Sequence, residues 1–240
     1  MHDPVKLCAE AVAGWHGAWL ASLGLRSESD GDAWRAVDVA PVIYFGGMTL
    51  RREAREEAVL DAHGSICDSW QTLSLESAGL RIWRREPWLM RRGGPLPAGT
   101  DPDELELVRV STAAEVEELE AVSVRGFGNE DSIVEPGTFH PTTILDNPNM
   151  VLWLGRVDGK PVGAAMSYRT ENAVGIFGVT TIASARRRGY GGALTRAAVM
   201  PETGLPSVLA SSPNGRSLYE SLGFEEVGQL SIWARPHGVT

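Results

Sequence analysis

What this sequence has little of narrows its chemistry first. There are two cysteines in 240 residues, Cys8 and Cys67, with neither CxxC spacing nor a second pair, so neither a zinc site nor a disulfide framework is supported and no metal is expected. Such cysteine usage fits a reducing cytoplasm. No apolar run approaches the roughly 20 residues a membrane span needs. The opening MHDPVK lacks the basic and apolar regions of a signal peptide, so a soluble cytoplasmic protein without a membrane partner is expected. Basic residues are also in deficit, with 22 Lys and Arg against 31 Asp and Glu and a net charge of −9, which argues against general nucleic-acid affinity. An anionic ligand would need a local basic site.

The pattern along the chain is that of a mixed α/β protein. Cys8, Val12, Trp15, Trp19 and Leu23 step by three or four residues and predict one face of a helix. Strands are expected near Trp34 to Val39 and Val42 to Leu50, with Pro41 between them. RREAREEAVL reads as a helix, and GLRIWRREPWLMRR as a further strand. RRGGPLPAGTDPD, from Arg91 to Asp103, collects glycines and prolines and is the best boundary, dividing residues 1–95 from 103–240.

In the second part ELELVRV alternates like a strand, and STAAEVEELEAVSV reads as a helix capped by Ser111 or Thr112 with Glu115. A loop-rich stretch follows, then three strands, VLWLGRV, PVGAAMSYR and AVGIFGVTT, as an antiparallel meander. After ASARRRGYGG come the helix ALTRAAVM, the strand LPSVLA, a short helix NGRSLYESLGF stopped at Gly223, and closing strands in FEEVG and LSIWARP.

The chemical signal is the turn Arg186-Arg187-Arg188-Gly189-Tyr190-Gly191-Gly192 between a strand and a helix. Amides at a helix start lack intrahelical partners and grip anions, and glycines let the backbone approach a diphosphate. From Thr181 to Arg196 there are four arginines and no acid, against the −9 of the whole chain. The competing phosphate motifs GxxxxGK[ST] and GxGxxG are not met. Taken alone, the turn also reads as a solvated basic surface turn.

With Tyr219-Glu220-Ser221-Leu222-Gly223-Phe224 downstream, Leu105 to Arg235 resembles the GNAT (GCN5-related N-acetyltransferase) superfamily. Arg186, Gly189 and Gly191 meet the family's [QR]-x-x-G-x-[GA] signature, and Tyr219 its tyrosine before GF. The resemblance implies a mixed, mostly antiparallel sheet flanked by helices, with residues 103–240 as the catalytic domain. Residues 1–95, which lack the turn, read as an α/β unit of degenerate GNAT-like order.

It further implies acetyl-CoA, or another acyl-CoA, as co-substrate. Its diphosphate would lie on amides from Arg187 to Gly192, and its pantetheine arm along Val179, Thr180 and Thr181, with Asn214 and Ser212 as further contacts. Thr181 N–H would polarise the thioester, Tyr219 would serve as general acid, and the acceptor would be a small-molecule primary amine. Two departures stand out: Ala183 holds a position often occupied by proline, and Asn214 lies five rather than six residues before the tyrosine. Glu130, Glu135 and His140, in the loop where the family shapes its acceptor pocket, are the acceptor-side candidates. The alternative function is a non-catalytic acyl-CoA-binding or regulatory module, and a homo-oligomer is compatible with either.

Overall fold

The computed structural model describes residues 3–41 and 44–236, so Val42 at the head of the second expected strand lies outside the described residues. Helix α1 spans Pro4–Ser22; the Asp3 carboxylate accepts from Val5 N–H at 2.9 Å, and Pro4 occupies the first turn, where no amide is needed. Cys8, Val12, Trp15 and Trp19 are all buried along it. Short strands β1 (Ser27–Ser29), β2 (Ala33–Ala36), β3 (Phe45–Thr49) and β4 (Ser65–Asp68) precede the eleven-residue β5 (Arg81–Arg91).

Next come β6 (Glu106–Arg109), α2 (Ala113–Phe127), β7 (Met150–Val157), β8 (Lys160–Arg169) and β9 (Val174–Thr181). Finally there are α3 (Tyr190–Val199), β10 (Ser207–Ala210), α4 (Arg216–Ser221) and β11 (Glu225–Ala234). Thr112 and Glu115 close a reciprocal capping box at the start of α2.

The eleven strands of the described residues form one sheet in the order β1-β2-β3-β4-β11-β5-β10-β9-β8-β7-β6. Pairing is antiparallel except for β3 with β4 and β9 with β10. The mixed, mostly antiparallel sheet flanked by helices is the expected class. Pairing is mirrored about the central β11–β5 pair: moving outward, each side reads antiparallel, parallel, antiparallel, antiparallel, and the second half adds one further antiparallel strand, β6. The central strands are exchanged, because β5 pairs with β10 of the second half and β11 with β4 of the first.

Successive strand residues point to opposite faces. Leu152 and Leu154 of β7 join α1 and α2 in one core cluster, whereas Trp153 between them packs into the cluster built by α3. The helices therefore cover both faces of the second half.

Three local expectations are corrected. RREAREEAVL forms only a turn and a single 3-10 turn at Glu56–Ala58, since it buries little beyond Ala54 and Val59 and offers no continuous apolar face. FEEVG and LSIWARP are one strand, β11, with a bulge between Glu226 and Gly228. The strand expected at Trp34 to Val39 ends at Ala36.

Candidate active site

The site begins where two parallel neighbours part. β9 and β10 pair only at Val174 with Ser207 and Gly175 with Val208. Beyond this the β10-facing edge of β9 is free. On its other edge β9 pairs Phe177 with Met166 and then Thr180 with Ala164, so Gly178 and Val179 form a bulge. Gly178 has φ +58°, and a Cβ there would meet the Met166 methyl at 2.3 Å. Glycine is required at that position.

The turn after β9 puts Arg187 at φ +62° and Gly189, the N-cap of α3, at φ +84°. Gly189 C=O accepts from Gly192 and Ala193 N–H, while the amides of Tyr190 and Gly191 belong to the first turn, where no helical acceptor exists. Gly191 and Gly192 lie against Leu218 of α4: a Cβ on either would come within 3.3 and 3.4 Å of its methyl groups.

A cavity of about 870 Å³ opens between this turn, the free edge of β9 and α4. Eleven of the residues singled out in the sequence line it: Val179, Thr180, Thr181, Arg186, Arg187, Gly189, Gly191, Gly192, Ser212, Asn214 and Tyr219. Among the described residues no carboxylate lines it, which suits an anionic occupant. Arg188 and Tyr190 are not in its lining; they border a neighbouring groove, and the buried Tyr190 donates its hydroxyl to Glu104 at 2.9 Å.

Arg186 has a structural task besides its place in the lining. Its guanidinium donates to Thr181 C=O at 3.1 Å and Gly126 C=O at 2.8 Å, tying the end of α2 to the end of β9. Gly126 and Phe127 also line the cavity. They carry no local signal, because α2 reaches the site only through packing; a Cβ on Gly126 would collide with the Thr180 hydroxyl at 2.2 Å.

Tyr219 stands on α4 with its ring edge against Phe224 at 5.8 Å, and Gly215 one turn earlier leaves it room, since a Cβ there would sit 3.0 Å from the ring. Burial pushes its phenol up to about 12. The side chain is therefore neutral throughout the physiological range and acts as a hydrogen-bond donor.

None of the three acceptor-side candidates lines the cavity. Glu130 accepts from the Ser184 hydroxyl and from Ser184 N–H at 2.9 Å, and these bonds hold its carboxyl below the usual range. Glu135 is exposed. His140 is buried with neither ring nitrogen partnered, and burial lowers it to about 4. A residue not singled out in the sequence organises this loop: fully buried Glu120 accepts from Gly137, Phe139 and His140 N–H, the last at 3.0 Å. Its neighbours Glu115, Glu117 and Glu118 are also acidic, and nothing in the local pattern of α2 marks Glu120 for burial. Only the fold of the following loop over it buries it.

Buried imidazoles give the protein a definite acid response. Burial lowers His16, like His140, to about 4. Between that value and the ordinary 6.5 the unfolded chain binds more protons than the native one, so stability is complete above the upper value and falls as pH drops toward the lower. The urea midpoint is expected to fall across this window, by the equivalent of up to about 3 kcal/mol per imidazole. His140→Leu should flatten the dependence, and an unchanged pH profile in that variant would exclude the assignment.

Residues 148–226 match the profile of the family described as acetyltransferase (GNAT) domain. Among solved structures, the chain is similar to a GCN5-related N-acetyltransferase from Kribbella flavida, with a TM-score of 0.63 and 21% identity over 95% of this chain and 96% of that one. It is also similar to a putative GNAT-family acetyltransferase from Novosphingobium aromaticivorans, at 0.58 and 20% over 96% and 99%. A third, a GCN5-related N-acetyltransferase from Sphaerobacter thermophilus, aligns at 0.56 and 15% over 96% and 94%. These likenesses show the fold and extend across both halves of the chain. No curated protein matches. Among the described residues no helix is long and apolar enough to cross a membrane, and no group of three His, Cys, Asp or Glu could hold a metal ion.

Proposed function

Starting from a chain whose second half carries a GNAT acetyltransferase domain, we propose that it moves an acetyl group from acetyl-CoA to the primary amine of a small molecule. One observation carries this reading: the glycine turn, the unpaired edge of β9 and Tyr219 border a single cavity that no carboxylate of the described residues lines.

Each part has a task there. The amides of the turn and the start of α3 hold the diphosphate. The free edge of β9 pairs with the amide-containing pantetheine arm as an added strand would. Bulged Val179 and the residues after it bring backbone N–H groups to the thioester carbonyl, where they stabilise the oxyanion formed on amine attack.

Tyr219 serves the leaving sulfur. The thiolate of a thiol of pKa about 8.5 is a weaker base than a phenolate, so outright proton transfer from a phenol raised to about 12 is uphill. Its main contribution is a hydrogen bond to the developing thiolate, worth more in this desolvated cleft than in water. No carboxylate borders the cavity among the described residues, so in this reading the ammonium of the acceptor gives its proton to solvent.

Residues 1–95 fit a degenerate copy of the same unit. The mirrored pairing supports this, and the β3–β4 connection lacks a counterpart of α3. Gly46 packs so closely that a Cβ would lie 1.7 Å from His63 C=O, closing the space that opens between β9 and β10. One donor per chain follows.

Calorimetry with acetyl-CoA should give one site per chain, and free thiol should appear with a panel of small amines. With an alkyl amine of pKa about 10, kcat/KM should rise roughly tenfold per pH unit from 7 to 9. One-site binding with no thiol release from any amine would favour the non-catalytic module, a reading that the placement of Glu130, Glu135 and His140 outside the cavity supports. No binding would reject both.

A further inference from the structure

Three carboxylates are buried among the described residues: Asp68, Glu86 and Glu120. Two of them are spent on backbone amides. Asp68 accepts from Thr72 and Leu73 N–H at 3.1 and 2.9 Å, and Glu120 holds the Gly137 to His140 loop. Glu86 caps no amide among the described residues; its partner is Arg84, whose Nε lies 2.8 Å from Oε1 and whose side chain is 45% exposed. A buried charge with one wet counterion contributes little to stability, so the position of Glu86 in the sheet calls for another role.

That position is the parting of β9 and β10. β10 pairs Leu209 with Leu89 and Ala210 with Trp88, and Ser211 N–H donates to Pro87 C=O at 3.2 Å. The next step along sets Glu86 beside Ser212, which lines the donor cavity. On the other side, the register of Ser207 with Val174 and Val208 with Gly175 runs on to put Ala210 level with Phe177, and Ser212 level with bulged Val179. Side-chain packing agrees, since Trp88, Ala210 and Phe177 all join the core cluster built with α1. Glu86, two residues before Trp88, lies on that same face. Tyr219 packs with Leu89 in the cluster of the opposite face. The parted strands therefore carry the phenol on one side and a buried carboxylate on the other. With strands about 4.8 Å apart, Glu86 stands two spacings or more, roughly 10 Å, from the bulge, which leaves room for an amine and one water beside a thioester held in the gap.

We infer that Glu86, carried on the strand that the first half gives to the second, is the proton acceptor of the transfer, acting through one water on the nitrogen of the attacking amine. The inference rests on the donor reading above. The amine arrives neutral, having given its ammonium proton to solvent. As its lone pair forms the C–N bond, the nitrogen becomes cationic and the carbonyl oxygen anionic. A proton passes from that nitrogen through the water to Glu86, the C–S bond breaks as the oxyanion collapses, and sulfur leaves as a thiolate on the Tyr219 side. Glu86 then returns its proton to solvent, from which the thiolate takes one up. Burial raises the Glu86 carboxyl above the ordinary range, against the pull of Arg84, and so makes it a stronger base than a surface carboxylate. Its other neighbours are neutral: Leu230 opposite it on β11 and, on β4, Cys67, whose thiol burial pushes up.

The test follows acetyl transfer to methoxyamine, a small amine that stays unprotonated well below neutral pH, and to the best amine of the panel above, with calorimetry for acetyl-CoA and thermal melts alongside. Glu86→Gln should lower kcat roughly thirtyfold, less than the loss of a base in direct contact, at unchanged donor affinity, and formate should restore turnover to Glu86→Ala. The wild-type rate with methoxyamine should fall as pH drops through the raised carboxyl value, and Glu86→Gln should abolish that limb. Full turnover with an unchanged profile in a folded Glu86→Gln would overturn the inference and leave the donor reading standing. So would a slow variant whose acid limb persists and whose Ala counterpart formate does not rescue. Should neither substitution at Glu86 fold, Arg84→Gln decides from a half-exposed position: removing the cation raises the carboxyl further, so the limb must move to higher pH or the inference fails. A wild type that neither binds acetyl-CoA nor releases thiol would remove the donor reading itself.

Discussion

Tyr219→Phe is expected to lower kcat by roughly a hundredfold while the affinity for acetyl-CoA stays within about threefold. The substitution removes one oxygen and keeps the ring, which packs on Phe224 and fills the room left by Gly215. Binding should survive, because the proposed donor contacts are backbone amides of the turn and β9. The loss should appear in turnover because negative charge builds on sulfur only as the thioester carbon is attacked. With the phenol raised to about 12, the wild-type profile should show no falling limb from this residue below about pH 11. Equal turnover in a variant that binds donor normally would remove Tyr219 from the chemistry.

A second large effect concerns the fold. A fragment of residues 96–240 is expected to be insoluble or to lack cooperative unfolding, although the glycine- and proline-rich stretch before it looks like a linker. β5 lies between β10 and β11, pairing with β11 from Arg81 to Met90 and with β10 from Trp88 to Arg91. Removing it leaves two strands of the second half without their shared neighbour and bares two edges, a known route to aggregation. Trp88 and Leu89 of β5 are fully buried, and Trp88 Nε1–H donates to Ser69 C=O at 2.9 Å. α1 would be lost too, and with it Trp15, stacked on Phe177 of β9 at 4.7 Å, just before the bulge. Circular dichroism and thermal melts decide the matter. A fragment with native near-ultraviolet signals and a sharp melt would show that the exchange is dispensable, whereas the full chain should melt in one transition.

Local patterns made much of this architecture legible. The meander of β7, β8 and β9 follows from alternating apolar runs and two tight turns; α1 and α2 follow from their stripes and caps; the positive φ of Gly223 follows from its place after a short helix. The geometry of the Arg186–Gly192 turn could be read as well, because a strand, three glycines and a helix start determine amide geometry over a handful of residues. What defeated local reading were segments whose state depends on distant partners. RREAREEAVL has helical composition and no surface to pack on, while FEEVG and LSIWARP join into β11 because β5 runs alongside both.

The same contrast holds at the site. By itself the sequence determined the glycine turn after β9 and the helical position of Tyr219, since each sits in a short motif whose spacing sets its local geometry. Tertiary structure alone decided that these motifs border one cavity with Gly126 and Phe127, that Glu120 is buried as the anchor of the following loop, and that Glu130 is tied to Ser184. The reason is range. A turn or cap is settled by neighbours within a few residues, whereas burial, desolvation and the order of strands in a sheet are set by segments far apart in the chain, here by two halves that each supply a central strand to the other.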